Sequence, residues 1–145
     1  MCLLQLPLLL GKTVDEAKVL GKLGVSVIEE AFQEGVIHVY SLTGEEEDLA
    51  GKIAKLEKIE VEDAQLIFLA GKLGDVLVTN DKKLILVARA HGVRTHWAVT
   101  PVILSVKRGE LDKKGAKNIV AGLVEAGLRI KSEALISIYR IIEEL

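Results

Sequence analysis

Two carboxylates stand out by their type and position. Asp81 closes the run Gly74-Asp75-Val76-Leu77-Val78-Thr79-Asn80-Asp81, and Asp63 opens the apolar stretch before it. Val76, Leu77 and Val78 form a short apolar run with β-branched weight, bounded by Gly and polar residues, which predicts a short buried parallel strand. In an open α/β sheet, ligands bind beyond the carboxyl ends of the strands, and Asp81 stands at such an end. Asp63 falls in the first turn of a helix predicted over residues 62–73, whose start should face the same rim. Two carboxylates brought together repel, which raises a pKa or recruits a divalent cation. Hard oxygen ligands suit Mg²⁺ or Mn²⁺. Each residue also has a plain structural role open to it. Asp63 favours a helix N-terminus, and Asp81 fits the N-cap of a helix over residues 82–90.

The remaining chemistry-bearing residues form no recognised constellation. His38, His91 and His96 have no zinc-ligand spacing, and each reads as structural. Neither a G-x-S-x-G elbow nor a G-x-x-x-x-G-K loop occurs. Leu10-Gly11-Lys12-Thr13 ends like a phosphate loop but lacks the upstream glycine and strand. Basic residues crowd the second half: Lys82, Lys83, Arg89, Arg94, Lys107, Arg108, Lys113, Lys114 and Lys117. Some would suit a nucleic-acid groove, while a solvated, thermophile-type charged surface accounts for most of them.

The elements that must position the carboxylates alternate. Residues 2–10 are apolar but interrupted by Gln5 and Pro7, which argues against a central strand or a helix interior. Residues 13–23 predict a helix with Thr13 as N-cap and Glu16 at the capping-box position, and residues 25–33 predict a second, with Glu29 at the corresponding place. Residues 36–40 predict a strand and residues 45–56 an amphipathic helix with Leu49, Ile53 and Leu56 on one face. The 62–73 helix is apolar nearly all round, as a buried helix is, and Gly74 is placed to end it. A strand over 93–99 follows, then a helix from Thr100-Pro101 to about Lys107. Two further helices, 113–127 and 131–145, close the chain, the last with Leu135, Ile138, Ile142 and Leu145 on one stripe. Helix alternating with strand is the grammar of an α/β sheet.

A chain of 145 residues suggests one domain spanning 1–145. Half of it is apolar and only 3% aromatic, so the core must be aliphatic. The formal net charge of -2 excludes a global basic signature for nucleic acid but leaves a local patch open. The single cysteine, Cys2, excludes an internal disulfide and a cysteine-rich zinc site. The apolar start is too short to span a bilayer and lacks signal-peptide features, so no membrane partner and a cytoplasmic location are expected. Abundant Lys and Glu with little Asn, Gln, Cys and Met is a hyperthermophile-like bias.

At Val61-Glu62-Asp63-Ala64 and Leu77-Val78-Thr79-Asn80-Asp81 the sequence resembles the PIN-domain family, in which an acidic residue opens a helix and a later strand ends in a similar Thr-Asn-Asp pattern. The stretch from Gly92-Val93-Arg94 through Val106-Lys107-Arg108-Gly109 to Ala126-Gly127-Leu128-Arg129-Ile130 is similar to the archaeal-type DUF3368 branch. The likeness covers residues 59–145 well and 25–43 loosely. It implies a three-layer α/β/α fold with a mostly parallel central sheet. It also implies a Mg²⁺- or Mn²⁺-dependent endoribonuclease, often the VapC-type toxin of a toxin–antitoxin pair and commonly a homodimer. Asp63 and Asp81 match two of the family's metal-binding carboxylates, and Glu16 is the candidate third, with Glu30 as the fallback. These residues would hold the metal and serve catalysis, while Lys82, Lys83 and Arg108 would line the RNA groove. The family's first strand ends in an Asp that has no counterpart here; Gln5 is the nearest polar residue. Either the start is truncated or the site is degenerate, and the alternative function is a catalytically silent PIN-like module for binding or oligomerisation.

Overall fold

The computed structural model of the chain describes residues 9–10, 30, 33–35 and 38–145. Among these, two strands, two helices, a strand, a helix, a strand and three helices follow in order, so the chain is of mixed α/β type and dominated by helix. Strand β1 (Leu9–Leu10) pairs in parallel with β2 (Val39–Tyr40), in the register Leu9 to Val39 and Leu10 to Tyr40. Leu9 and Leu10, the end of the apolar start, therefore have a partner strand. A second two-stranded sheet joins β3 (Val76–Val78) to β4 (Arg94–His96). The helices are α1 (Gly44–Glu57), α2 (Val61–Leu73), α3 (Lys82–Ala90), α4 (Thr100–Lys107), α5 (Lys113–Glu125) and α6 (Ser132–Glu144). The helices expected over 13–23 and 25–33 lie largely outside the described residues, although Glu30 and Gln33 are helical.

Contacts divide the chain into two compact units. The first comprises Met1–Leu77 and Leu86–Arg94. Its helical part is a hairpin of α1 and α2 joined by Lys58, Ile59 and Glu60. Thr43 caps α1 with a complete capping box: its hydroxyl accepts from the Glu46 N–H, and the Glu46 carboxylate accepts from the Thr43 N–H at 2.9 Å. Lys58 ends the helix in the left-handed conformation, φ 53°, which brings the chain straight back. The seam between the two helices is built from small residues, Ala50, Ala54 and Ala64, with Ile53, Ile59 and Phe68 packed against them. Leu49 and Leu56, the expected inward face, are instead 46% and 74% exposed. Alanines let two helix backbones approach closely, and an interface centred on them turns the bulky leucines outward. In α2, Ile67 and Leu69 are buried, and Gly74 takes φ 68° at its end, where a glycine avoids the Cβ clash. The Arg94 guanidinium donates to the Gly74 carbonyl at 3.1 Å and so satisfies an oxygen at that helix end.

The second unit comprises Val78–Ile85 and Thr95–Leu145. Its core is aliphatic: Val99, Ala116, Val120, Ile138 and Ile142, bordered by Val102, Ile103, Val106, Leu111, Leu123, Leu128, Ile130, Leu135 and Tyr139. Full burial of a side chain such as Ile142 contributes about 1.5–3 kcal/mol. Asp112 caps α5, its Oδ1 accepting from the Gly115 N–H at 2.6 Å. Lys117 and Glu143 form an ion pair between α5 and α6, and Lys113 Nζ donates to the Glu143 carbonyl at 2.6 Å. The strand expected over 93–99 is shorter, because the chain turns after His96 and Val99 becomes the buried N-cap of α4.

Candidate functional site

Asp81 lies in the second unit, one residue before α3. Its Oδ1 accepts from the Leu84 N–H at 2.9 Å, and its carbonyl accepts from the Ile85 N–H at 2.9 Å. This is the N-cap geometry that the sequence allowed. The cap uses one of the roughly four acceptor sites of a carboxylate, so capping and ligand binding are compatible. The side chain is exposed. Around it the ends of β3 and β4 are tied together. The Thr79 N–H donates to the His96 carbonyl at 3.0 Å, and the Ala98 N–H donates to the Asn80 side-chain oxygen at 2.9 Å. The Asp81 N–H reaches the Thr79 hydroxyl at 3.2 Å. Residues 79–81 and 96–98 thus form one rim on which Asp81, exposed Lys82 and exposed Trp97 are held.

Asp63 lies in the first unit, half-buried in the first turn of α2 beside Glu62. Its position at a helix N-terminus satisfies the macrodipole. Glu30 is also in the first unit and is exposed; Glu16 lies outside the described residues. Lys83 and Arg108 belong to the second unit with Lys82, and all three are exposed. Of the expected carboxylates, then, Asp81 stands without Asp63 in its own unit. Among the described residues no group of three His, Cys, Asp or Glu side chains is arranged to hold a metal ion. The carboxylate chemistry suits Mg²⁺ or Mn²⁺, while a complete ligand set is not formed by the described residues.

The histidines are accounted for locally. His91 Nε2 lies 2.8 Å from Glu57 Oε1, joining the C-terminal ends of α3 and α1. His38 is exposed, and His96 contributes its carbonyl to the rim. Two features of the rim were missed in the sequence. Asn80 is the residue that ties the two strand ends, and Trp97 is the exposed aromatic beside them. The signal available was the Thr-Asn-Asp triplet, since Asn and Asp side chains favour bonds to nearby backbone over regular structure.

Comparison with family models, with curated proteins and with solved structures finds no match to this chain. Among the described residues no helix is long and apolar enough to cross a membrane.

Proposed function

We propose that the chain is a divalent-metal-dependent endoribonuclease of the PIN type, with the three-layer α/β/α architecture and mostly parallel sheet of that family. The observation that carries this reading is Asp81. It stands three residues beyond the end of β3, caps a helix, and is exposed on a rim whose backbone is pinned by Asn80 and His96. A carboxylate held rigidly at a strand end is positioned for ligand work at low reorganisation cost. Asp63 and Glu16 are the proposed companions, with Glu30 in reserve. A bound Mg²⁺ or Mn²⁺ supplies Lewis-acid activation of water toward a phosphodiester. Asp81 Oδ1 stays with the Leu84 N–H, which orients the carboxylate. Lys82, Lys83 and Arg108 would meet RNA phosphates. An antitoxin protein, a second copy of the chain and a cytoplasmic setting belong to the same reading.

The test is RNA cleavage in Mg²⁺ or Mn²⁺ by the parent chain and by Asp81→Asn. Asparagine is as good an N-cap as aspartate, so the fold is kept while the anionic oxygen is lost. Cleavage should fall to background; equal cleavage by the variant removes Asp81 from the site.

A second reading, a catalytically silent PIN-like module, is favoured by the sequence of residues 1–10, which offers no counterpart to the family's first-strand Asp. Under the enzyme reading, Mn²⁺ should raise the melting temperature of the parent, because a ligand that binds only the folded state stabilises it. No rise at millimolar Mn²⁺ supports the silent module.

A further inference from the structure

The 19 Lys and Arg residues and 21 Asp and Glu residues are unequally divided. The second unit, Val78–Ile85 with Thr95–Leu145, holds ten of the basic and seven of the acidic residues, a formal charge of +3. The first unit holds nine and fourteen, a formal charge of -5, which restores the total of -2. A chain with no overall basic character therefore carries a basic unit, and a polyanion would meet that unit first.

On the same unit stands Trp97, the chain's single tryptophan, 51% exposed. An exposed apolar residue alone is ordinary. What distinguishes Trp97 is how its backbone is held. The Trp97 carbonyl accepts from the Thr100 N–H at 2.9 Å, closing a turn on one side. The next residue, Ala98, is fixed by Asn80, and the preceding one, His96, by Thr79. An aromatic ring is thus mounted on a stiff support that costs little further order on binding. The bond between Ala98 and Asn80 also sets the neighbours. Trp97 and Asp81 are each one Cα step, about 3.8 Å, from a residue of that bonded pair. Lys82 and Lys83 continue from Asp81.

We infer that Trp97 is a base-stacking platform for single-stranded RNA, its indole face taking a nucleobase while Lys82 and Lys83 meet the adjoining phosphates. Every base offers a π-face, so such a platform grips a strand without reading its sequence, and lysines add the salt-dependent part of the affinity. The inference rests on the RNA reading above and assigns it a residue outside the acidic site.

The single tryptophan supplies its own probe. A uridine-rich single-stranded RNA oligonucleotide is titrated into the full chain in EDTA, and intrinsic fluorescence is followed together with the anisotropy of a labelled oligonucleotide. Quenching of the tryptophan on binding is expected. Trp97→Ala and Trp97→Leu should weaken binding roughly 5- to 100-fold, and Trp97→Phe only a few-fold, with thermal melts confirming that each variant folds. Lys82→Ala should lower the slope of log affinity against log salt by about 1. Equal affinity of Trp97→Leu and the parent, or no binding by the parent, overturns the proposal. So does a change in the chain's mass in Trp97→Ala without a change in RNA affinity, which would make the ring a protein contact. The two readings fail separately: Asp81-dependent cleavage that ignores Trp97 removes the platform and leaves the nuclease, whereas Trp97-dependent binding without metal-dependent cleavage does the reverse.

Discussion

Asp81 has a structural duty that any functional experiment must respect. Its Oδ1 holds the Leu84 N–H, so Asp81→Ala removes both the anion and the cap. Loss of an N-cap costs about 1 kcal/mol, and that variant should melt several degrees lower. Asp81→Asn should melt with the parent. The difference between the two variants in a thermal scan measures the cap, and under the proposed nuclease reading a loss of cleavage shared by both would measure the chemistry. If Asp81→Asn is also destabilised by that amount, the carboxylate's charge and not its geometry holds the helix. The capping role of Asp81 was legible in the sequence, because a polar residue between an apolar strand and a helix is a cap by position. The tie from Asn80 to Ala98 was not legible: it spans 18 residues and depends on how two strands end.

At the scale of elements, α1 shows where local pattern was enough and where it was not. Its existence and its acidic start followed from the sequence, as did Ile53 at the seam, while the outward turn of Leu49 and Leu56 did not. Periodicity marks Leu49, Ile53 and Leu56, yet the partner helix offers Ala64, and close packing selects Ala50 and Ala54. A hydrophobic stripe says that a helix has a side, and the partner's residues decide which side is used. The capping box on α1 carries a pH dependence. The Glu46 carboxyl is held below its ordinary value of 4.5, first by the hydrogen bond from Lys72 and next by the Thr43 N–H. A depressed folded pKa contributes stability that is present above the unfolded value and lost as pH falls through the folded one. Glu46→Gln keeps an acceptor for the Thr43 N–H but removes the charge. The parent should therefore melt above the variant at pH 7, and the gap should shrink as pH is lowered below 4.5. A gap that is constant from pH 7 to pH 3 would assign the effect to packing.

Helix α5 offers a second test at this scale, using two glycines in one helix. A Cβ on Gly122 would meet nothing within 4 Å, whereas on Gly115 it would lie 2.7 Å from Asp112 Oδ1 and 3.0 Å from Leu111 Cδ1. Gly122→Ala should gain about 0.5–1 kcal/mol from reduced chain freedom in the unfolded state and better helix propensity. Gly115→Ala offers part of the same gain but displaces the Asp112 cap, a loss of about 1 kcal/mol, so no net stabilisation is expected. Urea denaturation of the two variants should show a higher midpoint for Gly122→Ala alone. A midpoint raised equally in both would mean that the cap contributes little.

For the molecule as a whole, the question is association. The terminal stripe invited either burial within its own unit or burial across a two-fold axis. Ile138 and Ile142 are 7% and 0% exposed, and Leu135 packs on the same core, so most of the stripe is already used at home. Leu145, the last of the stripe, remains 41% exposed. Ile136 and Ile141 of the same helix are 59% and 43% exposed. On α6, a homodimer of the kind the PIN-type reading implies would have these three residues to draw on, and not Leu135, Ile138 and Ile142. A stable dimer usually buries well over 1,000 Å² in total, which three side chains do not supply alone, so neighbouring residues would have to join them. The expected outcome is a mass twice 15.7 kDa by light scattering at micromolar concentration. Ile136→Glu should return it toward the monomer without lowering the melting temperature of the dilute protein, since Ile136 lies outside the core. A dimer indifferent to Ile136 and Ile141 would move the interface off α6. A mass of 15.7 kDa that does not change on concentration would end the dimer reading and leave those isoleucines as ordinary surface.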